Sequence, residues 1–107
     1  MSEKLTQEQQ DQLDAATFRR FLSHLDNNKD VQNIDLMILA DFCRNCLGKW
    51  YKAEADKLGV DVSDDEARER VYGMPYSEWK ANHQTPASDE QMAAYNARQE
   101  AKKNKQA

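Results

Sequence analysis

The sequence has few of the residues that punctuate loops, with three glycines and two prolines in 107 residues. Three isolated glycines cannot form the G-x-G-x-x-G or Walker loops that cradle phosphates, so nucleotide enzymes of those classes are excluded. Alternating apolar and polar runs, Asn-Gly hairpin turns and internal repeats are also missing, which argues against strands and repeat folds. We therefore expect one small helical domain over residues 1–107.

Long apolar runs are missing as well. The longest, Leu36 to Ala40, is far shorter than the roughly 20 residues that a membrane span needs. The first twelve residues are polar and acidic, unlike the basic and then apolar segments of a secretory signal. We expect no membrane partner and a cytoplasmic location.

The charge balance is acidic, with a formal net charge of −4. An acidic chain is a poor partner for nucleic acid, because phosphate neutralisation needs an excess of Lys and Arg. Beyond Ala81, only Met92 and Tyr95 are apolar residues larger than alanine. We predict a weak C-terminal helix that frays after Arg98, and a mobile polar tail at about residues 99–107.

Helix signals account for most of the chain. Thr6 and Gln9 form a capping-box pattern before a helix predicted from about Gln7 to Leu25. Polar turn formers at residues 26–30 then connect it to the next helix. Further helix starts are indicated at Asn33, Ser63, Pro75 and Ser88.

The second helix is predicted to be long, from Asn33 to about Leu58, with Gly59 as its left-handed end. The fold class is therefore all-α, a small multihelical domain of four to five helices around this long central helix. On a helical wheel, one face of the central helix is apolar and predicts the core. That face contains Leu36, Leu39, Cys43, Cys46, Leu47, Trp50 and Leu58.

The first turns of the predicted central helix are apolar nearly all round. Ile34, Met37, Ile38 and Phe42 lie toward its polar side. A helix that is apolar all round is covered on more than one side. Another helix of the chain or a second subunit can supply that cover, and a symmetric homodimer is the commonest such assembly. We predict these four residues as the interface.

Two cysteines form a C-x-x-C sequence, Cys43-Arg44-Asn45-Cys46. Redox pairs of this kind work best at a helix N-terminus, where the helix dipole favours the thiolate. Here the pair is predicted about ten residues inside a helix, an awkward place for a disulfide. The position of the pair on the helical wheel favours a different interpretation, in which both cysteines are small buried hydrophobes with inert thiols.

A metal site is the remaining interpretation of the cysteines. Structural zinc takes four ligands, mostly sulfur and nitrogen, and only His24 and His83 could complete a set with Cys43 and Cys46. Two C-x-x-C pairs meeting across a dimer would give four thiolates instead. No cofactor is expected, and zinc is the metal that such a site would take.

Several blocks together resemble a known family. They are VQNIDLM (31–37), FCRNCL (42–47), Trp50-Tyr51 and VYGMPYSEW (71–79). In combination they are similar to a family of short bacterial proteins catalogued as a domain of unknown function, over about residues 10–80. The resemblance implies a small multihelical fold and brings no established activity or site residue.

From the sequence we therefore expect a protein that acts through protein contacts, as a homodimer or with another protein partner, and that is not an enzyme. The alternative is a metal-binding or thiol-redox protein that uses Cys43 and Cys46.

Overall fold

The computed structural model describes residues 4–106, and all regular elements among these residues are helices. The all-α prediction is confirmed, with six helices in place of four to five. In chain order they are α1 (Gln7–Asp26), α2 (Asn33–Ala40), α3 (Arg44–Leu58), α4 (Asp64–Tyr72), α5 (Tyr76–His83) and α6 (Asp89–Gln106).

The predicted caps explain where most of these helices begin and end. The Thr6 side chain accepts from the Gln9 N–H at 3.0 Å, and Ser63 accepts in the same way at the start of α4. Such caps satisfy N–H groups that have no partner within the helix. Gly59 and Gly73 end α3 and α4 with positive φ angles of 72° and 75°, which glycine adopts without steric cost.

The long central helix is wrong, because the chain breaks between α2 and α3. Asp41 ends α2 in the left-handed region at φ 60°, and Cys43 is extended at φ −147° and ψ 176°. Aspartate tolerates the left-handed region better than most residues. Two short helices therefore replace the predicted one.

Arg44 supplies the physical reason for the break. Its backbone N–H and its Nη1 both lie 3.2 Å from Oδ1 of Asn33. In one continuous helix these residues would be about 16 Å apart along the axis. The chain must therefore turn back after α2, so that α3 begins beside the start of α2.

The core lies where α1, α2, α3 and α4 converge. It is built from Leu22, Leu25, Leu36, Leu47 and Val71, with Phe18, Val31 and Phe42 packed against it. Trp79 of α5 is the most completely buried large side chain, with 1% of its surface exposed.

The break also changes which residues the central segment buries. Leu36, Leu47 and Cys43 are buried as predicted. Leu39, Trp50 and Leu58, predicted on the core face, are 74%, 55% and 80% exposed. A single wheel fails for these residues because α2 and α3 have different axes.

Helix α6 packs against α2. Gln91 donates to Asp35 at 2.9 Å, and Lys102 pairs with Asp41 at 2.8 Å. The helix continues to Gln106, beyond the fraying predicted after Arg98, because α2 gives it a surface to pack on. The mobility of residues 99–107 stays a prediction. None of the helices within residues 4–106 combines the length and apolar character needed to cross a membrane.

Candidate thiol site

The two cysteines lie at the N-terminus of α3. Cys43 is the residue that caps the helix, and Cys46 lies in its first turn. Their Sγ atoms are 3.6 Å apart, and both thiols are free. The expectation that the pair lies ten residues inside a helix is wrong, because α2 ends before it. The pair therefore lies where peptide dipoles favour negative charge.

The two thiols differ in exposure. Cys43 is buried, with 7% of its surface exposed, whereas Cys46 is half-buried. Burial raises the pKa of the Cys43 thiol, although the backbone N–H groups of Cys46 and Asn45 act in the opposite direction. The prediction of a buried thiol with a raised pKa is therefore confirmed for Cys43. Cys46 is the thiol that solvent reaches more easily.

Arg44, between the cysteines in sequence, is buried with 2% of its surface exposed. Its guanidinium donates to the carbonyl of Val31 at 2.8 Å and to that of Asn28 at 3.1 Å, and lies 5.0 Å from the centre of the Trp79 ring. Burial lowers the pKa of Arg44. These neutral acceptors and the aromatic face hold the cation beneath the start of α3.

Tyr72 joins the helices around the pair. Its hydroxyl donates to Oδ1 of Asn45 at 2.8 Å and accepts from Nδ2 of Asn33 at 3.1 Å. Burial raises the pKa of Tyr72 to about 12, so the phenol is neutral at physiological pH. Asn45, which stands between the two cysteines, is thereby tied to α4 and α2.

A cleft of about 300 Å³ opens beside Cys43. Its walls come from α2, the start of α3, the start of α5 and the segment between α5 and α6. The residues that line it are Gln32, Asn33, Ile34, Met37, Cys43, Asn45, Tyr76, Gln84, Thr85, Pro86 and Ala87. None of these side chains carries a formal charge at neutral pH.

Gln32 fixes one wall of this cleft. The residue is buried, and its Nε2 donates to the carbonyl of His83 at 2.9 Å. Its Oε1 accepts from the backbone N–H of Thr85, also at 2.9 Å. The Gln32 side chain, at the start of α2, therefore fixes the position of the segment that follows α5.

A second recess, of about 260 Å³, lies between α3 and α4. It differs from the first because it is charged, with two cations and one carboxylate. Its lining residues are Asn45, Gly48, Lys49, Asp64 and Arg68. Asn45 lines both recesses, whereas neither cysteine lines this one.

The structure does not bring the predicted metal ligands together. His24 is exposed on α1, and the ring of His83 lies 5.8 Å from that of Trp79, tilted by 48°. Across residues 4–106, no group of three or more His, Cys, Asp or Glu side chains could hold a metal ion. Four thiolates across a dimer stay a prediction.

The predicted interface residues are half-buried within the chain itself. Ile34 and Met37 line the cleft. Phe42 packs against the core, with its ring 6.4 Å from that of Phe21. Ile38 lies on α2, the helix against which α6 packs. Another helix of the chain therefore covers part of α2, and the homodimer interface at these four residues stays a prediction.

Sequence reasoning missed the polar network around the pair, above all Arg44 and Tyr72. No local pattern indicates that a lone arginine is buried. The break in the central helix did leave a signal, because the segment is apolar nearly all round up to Phe42 and has one apolar face after it. Such a change of pattern is what two helices with different axes produce.

Comparison with known proteins gives a family but no activity. No curated protein matches this chain. A family model described as "Protein of unknown function (DUF1244)" matches residues 31–97, a range that includes both cysteines and runs from just before α2 into α6. The match covers more than half of the 107 residues and bears out the resemblance seen in the sequence, so the chain belongs to the DUF1244 family.

Proposed function

We propose that Cys43 and Cys46 form a dithiol–disulfide couple that exchanges electrons with the disulfides of other molecules. One observation carries the proposal. The two sulfurs lie 3.6 Å apart at the N-terminus of α3, so a bond between them requires an approach of about 1.5 Å. Cys43 precedes the regular helix and has an extended backbone, so the two cysteines are not held at the spacing of two residues inside one helix.

The chemistry follows thiol–disulfide exchange. The Cys46 thiol loses its proton, and the thiolate attacks one sulfur of the other molecule's disulfide. That S–S bond breaks, and the departing thiolate takes up a proton. Cys43 then loses its proton, and its thiolate attacks the Cys46 sulfur of the mixed disulfide, which releases the second thiol of the other molecule. The pair loses two electrons, and the other molecule gains two electrons and two protons.

The difference in exposure supports this order of events. Cys46 is the more accessible thiol, so it meets an incoming disulfide first. Cys43 is shielded, and burial raises its pKa, which favours its protonated form until a mixed disulfide forms next to it. A shielded resolving thiol protects the pair from reaction with two separate molecules.

Glutathione redox buffers test the proposal. The reduced protein is equilibrated with reduced and oxidised glutathione, quenched in acid, alkylated with N-ethylmaleimide and weighed by mass spectrometry. We expect a species that has lost two hydrogens and carries no maleimide. If the wild type instead accumulates glutathione on both cysteines and never closes the internal disulfide, the proposal is wrong.

Single cysteine variants supply the matched controls. Cys43→Ser keeps the exposed thiol, and we expect it to accumulate one glutathione on Cys46. Cys46→Ser keeps only the shielded thiol, and we expect its modification to be at least about tenfold slower because the thiol is buried and protonated. Equal rates in the two variants would contradict the assignment of Cys46 as the attacking residue.

A second candidate function is self-association or contact with another protein. It is favoured by Leu39 on α2 and Leu58 on α3, which are 74% and 80% exposed, and by a radius of gyration of 16.5 Å, compared with about 13 Å for a compact chain of about 100 residues. Under this candidate the wild type is a homodimer. Leu39→Asp is a cleaner test than Ile38→Asp, because Leu39 is exposed whereas Ile38 is half-buried within the chain.

Native mass spectrometry and sedimentation compare the wild type with Leu39→Asp. A dimer that becomes a monomer with an unchanged circular dichroism spectrum would support the interface. A wild type that is monomeric at every concentration would refute self-association.

A further inference from the structure

The cleft beside Cys43 has the chemistry of a site for polypeptide backbone. Its side chains supply amides and apolar surface, and none is charged. The amides of Gln32 and Asn33 are hydrogen-bonded within the chain, so the groups that can pair with a peptide group are Nδ2 of Asn45 and the amide of Gln84. An anion or a cation would lose hydration in such a site without gaining an opposite charge.

One wall of the cleft offers unpaired backbone groups. Residues 84–87 lie outside the helices, and Gln84 is extended at φ −78° and ψ 129°. The Thr85 N–H is taken by Gln32, and Pro86 has no N–H. Within the described chain, no hydrogen bond to a carbonyl of residues 84–87 is formed. These carbonyls therefore have no hydrogen-bond partner within the described chain, and an extended peptide carries the N–H groups that would match them.

The wall is close to the reacting atoms. Cys43 itself lines the cleft, and its sulfur is 3.6 Å from that of Cys46. In the mixed disulfide the polypeptide is therefore joined to a sulfur that contacts a residue of the cleft lining.

We propose that the cleft beside Cys43 binds a neutral, extended segment of polypeptide, so that the substrates of the pair are disulfides of proteins and peptides and not small charged disulfides. This inference rests on the proposed function and names its substrate class. The recess between α3 and α4 would suit the competing class, because Lys49 and Arg68 could pair with the carboxylates of a small acidic disulfide. Neither cysteine lines that recess, which favours the neutral cleft.

Two substrates of opposite character test the inference. The first is an uncharged pentapeptide with blocked ends and a central cysteine, joined to itself as a disulfide. The second is oxidised glutathione. The measurement is the rate at which each, at equal low concentration, drives formation of the Cys43–Cys46 disulfide. We expect the peptide to react at least about tenfold faster, which corresponds to about 1.4 kcal/mol of binding free energy.

Charge placed in the cleft should remove this preference. Met37→Lys and Ala87→Glu each add a charge to the lining, and Ala87 is exposed, so its replacement leaves the packing intact. We expect either variant to slow the peptide about tenfold, whichever sign of charge is added. Leu39→Lys is the matched control, because it adds the same charge to α2 at an exposed position outside the cleft, and its peptide rate should equal that of the wild type.

The outcomes separate this inference from the proposed function. The cleft is not the substrate site if the internal disulfide forms but oxidised glutathione reacts as fast as the peptide. The same conclusion follows if Lys49→Ala slows both substrates while Ala87→Glu slows neither. If neither substrate produces the internal disulfide, the proposed function itself fails. A circular dichroism spectrum of Met37→Lys that matches the wild type shows that this variant is folded.

Discussion

Arg44 donates two hydrogen bonds to one atom, Oδ1 of Asn33, from its backbone N–H and from Nη1, each 3.2 Å long. Asn33 is the first residue of α2, and Arg44 is the first residue of α3. The contact therefore fixes the starts of two successive helices side by side. Because Cys43 directly precedes Arg44, the same contact fixes the position of the thiol pair.

Arg44→Ala should destabilise the fold by at least about 3 kcal/mol, because it leaves the carbonyls of Val31 and Asn28 without their donor and removes the side-chain bond to Asn33. Urea denaturation of the reduced protein measures the loss. Arg70→Ala is the control, since Arg70 is exposed on α4 and should change stability by no more than about 0.5 kcal/mol. Equal losses in the two variants would mean that the Arg44 network does not stabilise the protein.

Alkaline pH should destabilise the fold through Tyr72. Its pKa rises from 10.0 to about 12 on folding, so the folded state holds the phenolic proton more tightly than the unfolded state. The resulting stabilisation, about 2 to 3 kcal/mol, is fully present below pH 10 and is lost as the pH rises toward 12. Denaturation measured over this range should show the loss.

Tyr72→Phe is the control for that experiment. The variant loses the hydrogen bonds to Asn45 and Asn33, so it should be less stable at neutral pH. Its stability should then fall less steeply than that of the wild type above pH 10. The raised pKa of Cys43 also lowers stability at alkaline pH, so the difference between the two proteins measures the contribution of Tyr72 alone. Parallel curves for the two proteins would contradict the prediction.

The left-handed backbone at Asp41 predicts which residues this position accepts. Asp41→Val should cost at least about 1 to 2 kcal/mol, because a β-branched side chain is strained at φ 60°. Asp41→Asn keeps the preference for this region and loses only the partly exposed ion pair with Lys102, a change of about 0 to 1 kcal/mol. Thermal denaturation distinguishes them, and a tolerated valine would argue against the break between α2 and α3.

Gln32→Ala should loosen the wall of the cleft. The variant removes two 2.9 Å hydrogen bonds, one to the carbonyl of His83 and one from the N–H of Thr85, which tie the segment after α5 to the start of α2. We expect faster hydrogen exchange at the Thr85 amide. Gln10→Ala, at an exposed position on α1, serves as the control and should leave that amide unchanged. Equal exchange in both variants would show that Gln32 does not hold the segment.

Much of the fold could be predicted from local signals. Helix starts at Thr6 and Ser63 and helix ends at Gly59 and Gly73 depend on residues within a few positions, so the sequence near each one is enough. The break at Asp41 was missed because aspartate is not an obligatory helix breaker. What forces the break is a contact between Asn33 and Arg44, eleven positions apart, that no local pattern contains.

The candidate site shows the same division. The sequence by itself determined that the protein is helical, where most helices are capped, and that two thiols are separated by two residues, because these properties depend on residue type and short-range spacing. Only the tertiary structure decided that the thiols lie at a helix N-terminus, that one is shielded, and that a neutral cleft opens beside them. Those features depend on how α2, α3 and the segment after α5 pack together around Arg44 and Gln32, two buried polar residues whose partners are distant in the chain.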